Sequence, residues 1–273
     1  MCYYSAQKVS NTEFIRLLNL EKKILHFEYL DSQLKIGFDY GLNTVLIPTD
    51  DKIDFDMVQM EWGFIPNYLK TREEVNKMRL GFKDEKGIFH PPITTLNAKS
   101  EELLKPGKMF RESTLKRRCL VLSSGFFEWR HVFQKNKKTG LPLKTAEKYP
   151  YFISVKDHSY FYMAGIYQAW TDRETGEHIN TFAIITTEAN TLMSQIHNTK
   201  LRMPTILNDN LAFEWLFADL DENRIQEIAQ TKYPSDEMMA YPIAKNFMEL
   251  TEPSTPFLYE SLPDLEPAAL KTD

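Results

Sequence analysis

The sequence predicts an α+β fold with a mostly antiparallel β core. Segments rich in β-branched and aromatic residues, which favour strands, dominate the middle of the chain. Segments with the apolar spacing of helices fall between and after them, without regular strand–helix alternation. The 273 residues are 42% hydrophobic, so the chain can bury a sizeable core as one large domain or two small ones.

The elements are predicted in order from capping residues and apolar spacing. Near the amino end, Asn11 can cap a helix in which Phe14, Leu17 and Leu18 are spaced i, i+3 and i+4. Strand-like runs follow at 44–47, 60–65, 118–123, 151–155, 160–170 and 181–187. Helices are predicted at 189–197, after a possible cap at Asp209, and at 222–230.

Two segments have the composition of irregular structure. Residues 130–148 are rich in lysine, contain Gly140 and Pro142, and have no apolar period, which predicts a loop insertion. Residues 252–273 contain four prolines and carry negative charge, so we expect a disordered or loosely docked tail. The predicted organisation is therefore a folded domain over 1–251 followed by a tail over 252–273.

The composition argues against several classes of protein. No run approaches the roughly 18 apolar residues of a membrane span, and the amino end lacks the apolar core of a signal peptide, so we expect a cytoplasmic protein. Two cysteines, Cys2 and Cys119, are too few for a disulfide framework or a four-cysteine zinc site. The six histidines form no HxxxH or HExxH pair, so no metal or other cofactor is predicted.

Although the net charge of the chain is −5, one segment of it is basic. The tail carries −4 of this charge, so the body of the chain is nearly neutral. Within the body, residues 105–148 hold twelve lysines and arginines against three acidic residues. This distribution suits a phosphate-binding groove, and a solvated basic face is an equally good interpretation of the charge alone.

Cys2 follows the initiator methionine directly, and this position has chemical consequences. Removal of Met1 would leave a thiol and a free α-amine on one residue. An α-amine has a reference pKa of about 7.7–8.0, so part of it is uncharged and nucleophilic at neutral pH. Such an amine can attack an aldehyde, and the thiol can then close a five-membered thiazolidine ring in an intramolecular step of high effective molarity.

Four further segments place reactive or aromatic side chains in rigid surroundings. Asn97 could orient a substrate group or cap a helix. Glu128, within GFFEW, could be a desolvated proton carrier or a wet edge-strand residue. His197 could act in catalysis or cap a helix end, and Trp62 could stack on bases or belong to the core. Cys119 lies in an apolar run and is interpreted as an inert core residue.

In combination these motifs resemble the SOS response-associated peptidase family, the abasic-site processing proteins. The resemblance runs from about residue 2 to 243 through the motifs MC, WGFIP, NAKSE, RRCLVLSSGFFEW, AGIYQAW, TFAIITTEAN and IHNTKLRMPTIL. It implies a single α+β domain with a barrel-like β core and peripheral helices. It also implies that the amino-terminal cysteine forms a thiazolidine crosslink with the ring-opened aldehyde of an abasic site in single-stranded DNA.

The resemblance also implies roles for individual residues. Cys2 matches the crosslinking nucleophile, Asn97 the residue that positions it, and Glu128 and His197 the catalytic pair. Four DNA-binding residues are implied by the resemblance: Lys99, Arg202, Trp62 and Gly63. The basic segment adds two more candidates, Arg117 and Arg118.

Three features depart from the family pattern. The usual MCGR opening is MCYY here, so Tyr4 replaces an arginine that helps to hold DNA. Four residues, 198–201, lengthen the gap between His197 and the RMP motif. The insertion at 130–148 has no clear family counterpart.

The predicted function is an abasic-site crosslinking enzyme of the DNA damage response. Weak lyase activity, self-reversal and removal of its own Met1 are expected with it. We expect a monomer without a cofactor, metal or membrane partner, cytoplasmic and nucleoid-associated when bound to DNA. Two alternatives remain at this point: an amino-terminal nucleophile hydrolase, such as a peptidase or amidotransferase using Cys2, and a non-catalytic single-stranded DNA-binding protein.

Overall fold

The structure, a computed structural model, describes residues 2–9, 14–24, 30–136 and 138–266. Seventeen strands are present within these residues. The strands are β1 (Tyr4–Lys8), β2 (Phe14–Leu17), β3 (Leu20–Lys23), β4 (Asp31–Ile36), β5 (Leu42–Pro48), β6 (Phe55–Trp62), β7 (Phe82–Lys83), β8 (Phe89–His90), β9 (Asn97–Lys99), β10 (Arg118–Ser123), β11 (Gly125–Val132), β12 (Glu147–Val155), β13 (Phe161–Thr171), β14 (His178–Glu188), β15 (Arg202–Pro204), β16 (Ile206–Leu207) and β17 (Met238–Pro242).

Helices are fewer and short. The α-helices of the described residues are α1 (Arg72–Leu80), α2 (Arg111–Lys116), α3 (Thr191–Ile196), α4 (Asp209–Phe217) and α5 (Glu222–Ala229). Short 3-10 helices cover Gly37–Asp39, Ser100–Glu102, Ser235–Glu237 and Phe247–Glu249. No helix in the described part of the chain is long and apolar enough to cross a membrane.

The larger sheet closes into a five-stranded barrel. Its strands follow the order β14-β6-β5-β10-β13, and pairing between β13 and β14 closes the ring. The pairs are antiparallel except for β14 with β6 and β14 with β9. The short strands β15, β16 and β9 extend the barrel at its margins. This architecture confirms the predicted α+β class with a barrel-like, mostly antiparallel core.

A second sheet, in the order β17-β12-β11-β1-β4, lies against the barrel. The buried side chain of Gln7 joins the two sheets: its amide nitrogen donates to the carbonyls of Thr44 (2.9 Å) and Leu122 (2.8 Å). The chain passes from β10 to β11 through Gly125, where an added Cβ would lie 2.1 Å from the Phe152 ring. Glycine is therefore required where the chain turns into the strand that carries Glu128.

Alternate residues of β10 pack into two cores. Leu120 and Leu122 join a cluster with Trp215 of α4, whose indole nitrogen donates to the Cys119 carbonyl at 3.1 Å. Cys119 and Val121 face a second cluster that contains Cys2. This alternation is the two-residue period of a strand buried on both faces.

The predicted amino-terminal helix is wrong, because the segment forms the β2–β3 hairpin. Ile15 and Leu17 are fully buried while Arg16 between them is exposed, which is the period of a strand. Leu18 turns the hairpin with a φ of 52°. The expected cap, Asn11, lies outside the described residues.

The carboxyl-terminal helices form close to where they were predicted. Asn208 rather than Asp209 caps α4, its side chain accepting from the amide of Leu211. Asn190 caps α3 in the same way through Met193. In both cases the asparagine oxygen takes one of the amides that a helix leaves unpaired at its start.

The two segments predicted to be irregular contact each other beside the second sheet, where the Gln134 side chain donates to the Ser261 carbonyl at 3.4 Å. Residues 133–146 connect β11 to β12 as the loop of a hairpin. Residues 252–266 of the predicted tail lie against the domain: the Phe257 amide donates to the Pro242 carbonyl (2.8 Å), and Tyr259 donates to the Ile243 carbonyl (2.7 Å). Residues 267–273 lie outside the described residues.

Candidate active site

Cys2 lies buried immediately before β1, beside β11. Its carbonyl accepts a hydrogen bond of 2.9 Å from the Asn97 side chain. Its sulfur is 3.8 Å from the Tyr4 carbonyl. Burial raises the pKa of the Cys2 thiol far above its usual range, and the negative charge of Glu128 raises it further. The thiol is therefore protonated at neutral pH and needs a base to become a nucleophile.

Asn97 begins β9, a short strand that runs parallel to β14 with Asn97 opposite Ile184. The helix-cap interpretation of this residue is therefore wrong. The side chain is buried, and its Oδ1 has no hydrogen-bond partner among the described residues. A buried acceptor without a donor is costly, so the site has a place for one more N–H group next to Cys2.

Glu128 and His197 meet beside Cys2. The Glu128 Oε2 lies 3.8 Å from the His197 Nε2, and both side chains are more than nine-tenths buried. The His197 Nδ1 is 2.8 Å from the Arg202 carbonyl. A carbonyl can only accept, so Nδ1 carries the proton and the lone pair of Nε2 faces Glu128.

Burial sets the protonation of this pair. It raises the pKa of Glu128 to about 7, with the positive amino terminus of the chain acting in the opposite direction. It lowers the pKa of His197 to about 4. At neutral pH the imidazole is therefore neutral, and Glu128 exchanges between acid and carboxylate. The pKa of His197 therefore lies well below the ordinary histidine value of about 6.5.

His197 is held by contacts that the sequence did not reveal. It follows α3, and its amide donates to the Met193 carbonyl at 2.8 Å. The next residue, Asn198, accepts from the His131 amide (3.1 Å) and donates to the His131 carbonyl (2.8 Å). These two bonds fasten the end of α3 to β11, the strand of Glu128. The only sequence signal was the position of Asn198 directly after His197.

The two cations predicted to bind DNA near the site, Lys99 and Arg202, differ in their surroundings. Lys99 is exposed on β9, two residues from Asn97. Arg202 is buried, and its guanidinium forms two hydrogen bonds with Glu101, of 2.7 and 3.0 Å. A phosphate contact by Arg202 would have to compete with this ion pair. The contact with His197 is made by the backbone carbonyl of Arg202 and not by its side chain.

Trp62 does not offer a stacking surface. Its side chain is 1% exposed, it lies parallel to Phe182, and its Nε1 donates to the Leu96 carbonyl at 2.9 Å. The predicted base-stacking role therefore does not fit the structure, and the core interpretation does. Gly63 is also buried, with a φ of 142°, and an added Cβ would lie 2.6 Å from the Tyr40 ring. The bond from Trp62 holds the backbone of Leu96, the residue that precedes Asn97.

Arg117 and Arg118 are engaged elsewhere in the domain. Arg118 donates to the carbonyls of Trp215 (2.8 Å) and Ala218 (2.6 Å) at the end of α4. Arg117 donates to the Gln168 side chain at 2.8 Å. The Arg118 guanidinium satisfies carbonyls that a helix leaves unpaired at its end, so its predicted DNA contact does not fit this geometry.

Comparison with known proteins identifies the family. The family model described as SOS response associated peptidase (SRAP) matches residues 1–249. The chain belongs to the SRAP family. The matched range contains all four residues of the candidate site and ends just before the tail segment.

The relatives that this SRAP chain matches include proteins named abasic site processing proteins. The abasic site processing protein YoqW of Bacillus subtilis is 31% identical over 205 residues, which cover 74% of this chain and 75% of YoqW. The abasic site processing protein HMCES of Gallus gallus is 29% identical over 212 residues, 73% of this chain and 56% of HMCES. A solved structure of a Bacteroides thetaiotaomicron protein has a TM-score of 0.69 and 29% identity, covering 94% of this chain and 100% of that chain.

Proposed function

We propose that this protein forms a covalent crosslink with abasic sites in single-stranded DNA through Cys2, after removal of Met1. The observation that carries the proposal is the hydrogen bond from Asn97 to the Cys2 carbonyl, which holds Cys2 beside the buried pair of Glu128 and His197. The relatives named abasic site processing proteins support the substrate class.

The first requirement is a free amine next to the thiol. Removal of Met1 converts the amide of Cys2 into an α-amine whose N–H groups can donate to the unpartnered Oδ1 of Asn97. The carbonyl of Cys2 is already held by the same side chain. Asn97 therefore fixes both ends of the nucleophilic residue, which lowers the entropy cost of reaction.

The sugar of an abasic site is mainly a closed hemiacetal and must open to an aldehyde. Neutral His197 can accept the proton of the anomeric hydroxyl at Nε2, and protonated Glu128 can donate a proton to the ring oxygen as the ring bond breaks. One proton leaves the sugar and one returns to it. Transfer between His197 and Glu128, 3.8 Å apart, then restores the starting state.

The amine of Cys2 next adds to the aldehyde carbon. Protonated Glu128 donates to the departing hydroxyl, which leaves as water and gives an iminium ion. The resulting Glu128 carboxylate takes the proton of the Cys2 thiol, and the sulfur closes the ring on the same carbon. The product is a thiazolidine, and Glu128 ends protonated, ready to catalyse the reverse reaction.

A hydrolase reaction is the second candidate, because the family description contains the word peptidase. Its simplest form is removal of Met1 by the site itself. An amino-terminal nucleophile would then cleave glutamine or peptides as well. Incubation with glutamine, peptides and an aldehyde-bearing DNA strand in parallel discriminates between the two functions.

The proposed function is tested with single-stranded DNA that carries one abasic site. Wild-type protein is expected to give a slowly migrating band on a denaturing gel, and Cys2→Ala is expected to give none. A non-covalent DNA-binding protein would give no band with either protein. A band that persists in Cys2→Ala would contradict the role of Cys2.

We expect His197→Ala to slow crosslinking of a natural abasic site by about 10²-fold, because the group that deprotonates the anomeric hydroxyl is lost. The rate with an acyclic aldehyde on the same strand is expected to stay near wild type. Single-turnover gels with both substrates provide the measurement. His178→Ala, at an exposed histidine, is the control. An equal loss of rate on both substrates would contradict the ring-opening role.

We expect Lys99→Gln to weaken binding before chemistry and to reduce its salt dependence. Lys99 is exposed two residues from Asn97, and each phosphate neutralised on a single strand adds about −0.7 to the log–log salt slope. Binding of an unreactive abasic analogue at several salt concentrations measures the change. The control is Lys22→Gln on the β2–β3 hairpin, where Lys22 pairs with Asp54. Equal slopes in both variants would exclude a phosphate contact at Lys99.

A further inference from the structure

The loop between β11 and β12, residues 133–146, is not used by the chemistry above. Within its described residues, 133–136 and 138–146, the Gly140 amide donates to the Asn136 carbonyl (2.8 Å), and the Leu143 amide donates to the Gln134 carbonyl (2.7 Å). The Asn136 side chain accepts from the amides of Lys138 (2.8 Å) and Thr139 (3.2 Å). These hydrogen bonds hold the described residues of the loop in a turn. We call this loop the basic hairpin loop.

The basic hairpin loop is strongly cationic. It has four lysines and no acidic residue. Lys135, Lys138 and Lys144 are exposed, and no ion pair in the described part of the chain involves them. The nearest acid in sequence, Glu147, is paired with Lys245 instead. Clustered like charges repel one another, so this loop gains most from a polyanionic partner.

Apolar side chains are exposed among these lysines. Phe133 is 55% exposed, Leu141 67% and Leu143 42%. A solubilising loop has no need of three exposed large apolar groups. An aromatic ring next to lysines provides base stacking and phosphate contacts together, which is the combination that single-stranded nucleic acid requires.

The loop continues from the strand that carries Glu128. Strand β11 continues for four residues from Glu128 to Val132, about 13 Å at roughly 3.3 Å per residue, before the loop begins. Nucleotides of a fully stacked strand are spaced by about 3.4 Å, and those of an extended single strand lie further apart, so this span corresponds to at most about four nucleotides. Gln134 at the base of the loop donates to the Tyr149 hydroxyl at 3.1 Å, which joins the loop to β12.

We infer that the basic hairpin loop is a second contact for single-stranded DNA, which binds nucleotides up to about four positions from the reacting sugar. Its lysines neutralise phosphates, and Phe133 stacks on a base. The inference rests on the proposed function for the nature of the strand. It assigns a role to the insertion for which the sequence indicated no family counterpart.

The test uses the triple variant Lys135→Gln, Lys138→Gln, Lys144→Gln in the full chain. Its substrates are strands of about 20 and about three nucleotides with a central, unreactive abasic analogue. On the long strand the log–log salt slope is expected to fall by about 2, at about 0.7 per phosphate. On the short strand, which cannot reach the loop, the slope is expected not to change. Phe133→Ala is expected to weaken binding of the long strand alone, by about fivefold or more.

The control removes three lysines on the side of the domain occupied by α4. Lys22 pairs with Asp54, Lys52 pairs with Asp219, and Lys23 lies on the same hairpin as Lys22. The triple variant of these lysines to glutamine is expected to retain the wild-type slope. Equal slopes for both triple variants, or equal effects on long and short strands, would overturn the inference.

The two proposals can fail independently. If the hairpin variant binds the long strand like wild type but the wild-type protein crosslinks abasic DNA, the loop inference is wrong and the proposed function stands. If the wild-type protein forms no crosslink, the proposed function is wrong, and the difference between long and short strands still tests the loop.

Discussion

A chain that retains Met1 is expected to bind abasic DNA and to form no stable crosslink. The thiazolidine needs amine and thiol on one residue, because only then does the ring have five members. In the Met1 form the nitrogen of Cys2 is an amide, which does not condense with an aldehyde. The variant to make has a bulky residue between Met1 and Cys2, so that cellular methionine removal is blocked.

The structure makes this insertion a clean test. Asn97 holds Cys2 by its carbonyl, on the side away from the insertion, and β1 begins at Tyr4. The thiol is therefore expected to stay in place while the amine is lost. Intact mass reports the amino terminus, and a denaturing gel reports the crosslink. We expect a loss below detection, and a heat-stable crosslink without borohydride would contradict the mechanism.

Cys119 provides the matched thiol control. It is the other cysteine of the chain and is fully buried in the same cluster as Cys2. Burial raises the pKa of its thiol as well, and as an internal residue it has no α-amine with which a thiazolidine could form. Cys119→Ala is expected to crosslink at the wild-type rate once its fold is verified by thermal unfolding.

Glu128→Gln is expected to slow both formation and reversal of the crosslink by about 10²–10⁴-fold. Glutamine has nearly the same shape but cannot carry a proton between the hydroxyl that leaves and the thiol that attacks. Affinity for an unreactive abasic analogue is expected to stay near wild type, because the side chain is buried and does not face a phosphate. Unchanged rates in both directions would remove Glu128 from the mechanism.

The pH profile gives a second, independent measurement on this residue. Loss of water from the adduct requires the protonated form of Glu128, whose pKa is about 7. The wild-type rate is therefore expected to fall as pH rises through about 7, while protonation of the α-amine slows the reaction at lower pH. In Glu128→Gln the decline near pH 7 is expected to disappear. A decline that persists in the variant would assign it to another group.

Much of the β structure could be predicted because its signal is local. The run 118–123 is both the predicted segment and the observed β10, since β-branched and apolar residues strongly favour a strand there. The amino-terminal hairpin was missed because Phe14, Leu17 and Leu18 also fit a helical period. Ile15 and Leu17 are buried in the cluster that contains Trp215 of α4, and this burial selects the strand period over the helical period. The contact joins residues far apart in the sequence, so a local pattern does not reveal it.

The sequence by itself predicted Cys2 as the candidate nucleophile, together with the carboxylate of Glu128 and the imidazole of His197. It also determined the β-rich class, because strand propensity and apolar alternation are properties of short segments. The tertiary structure decided which polar groups meet. Cys2, Asn97, Glu128 and His197 come together from four separate segments, and long-range strand pairing brings them to one place.

The tertiary structure alone also decided the charge state of the site and the roles of the arginines. Burial raises the pKa of Glu128 and lowers that of His197, and no sequence pattern states how much water a side chain will lose. The ion pair of Arg202 with Glu101 and the contacts of Arg118 with α4 occupy guanidinium groups that look free in the sequence. Residue type fixes what a side chain can do, whereas its packed neighbours fix whether it is available to do it.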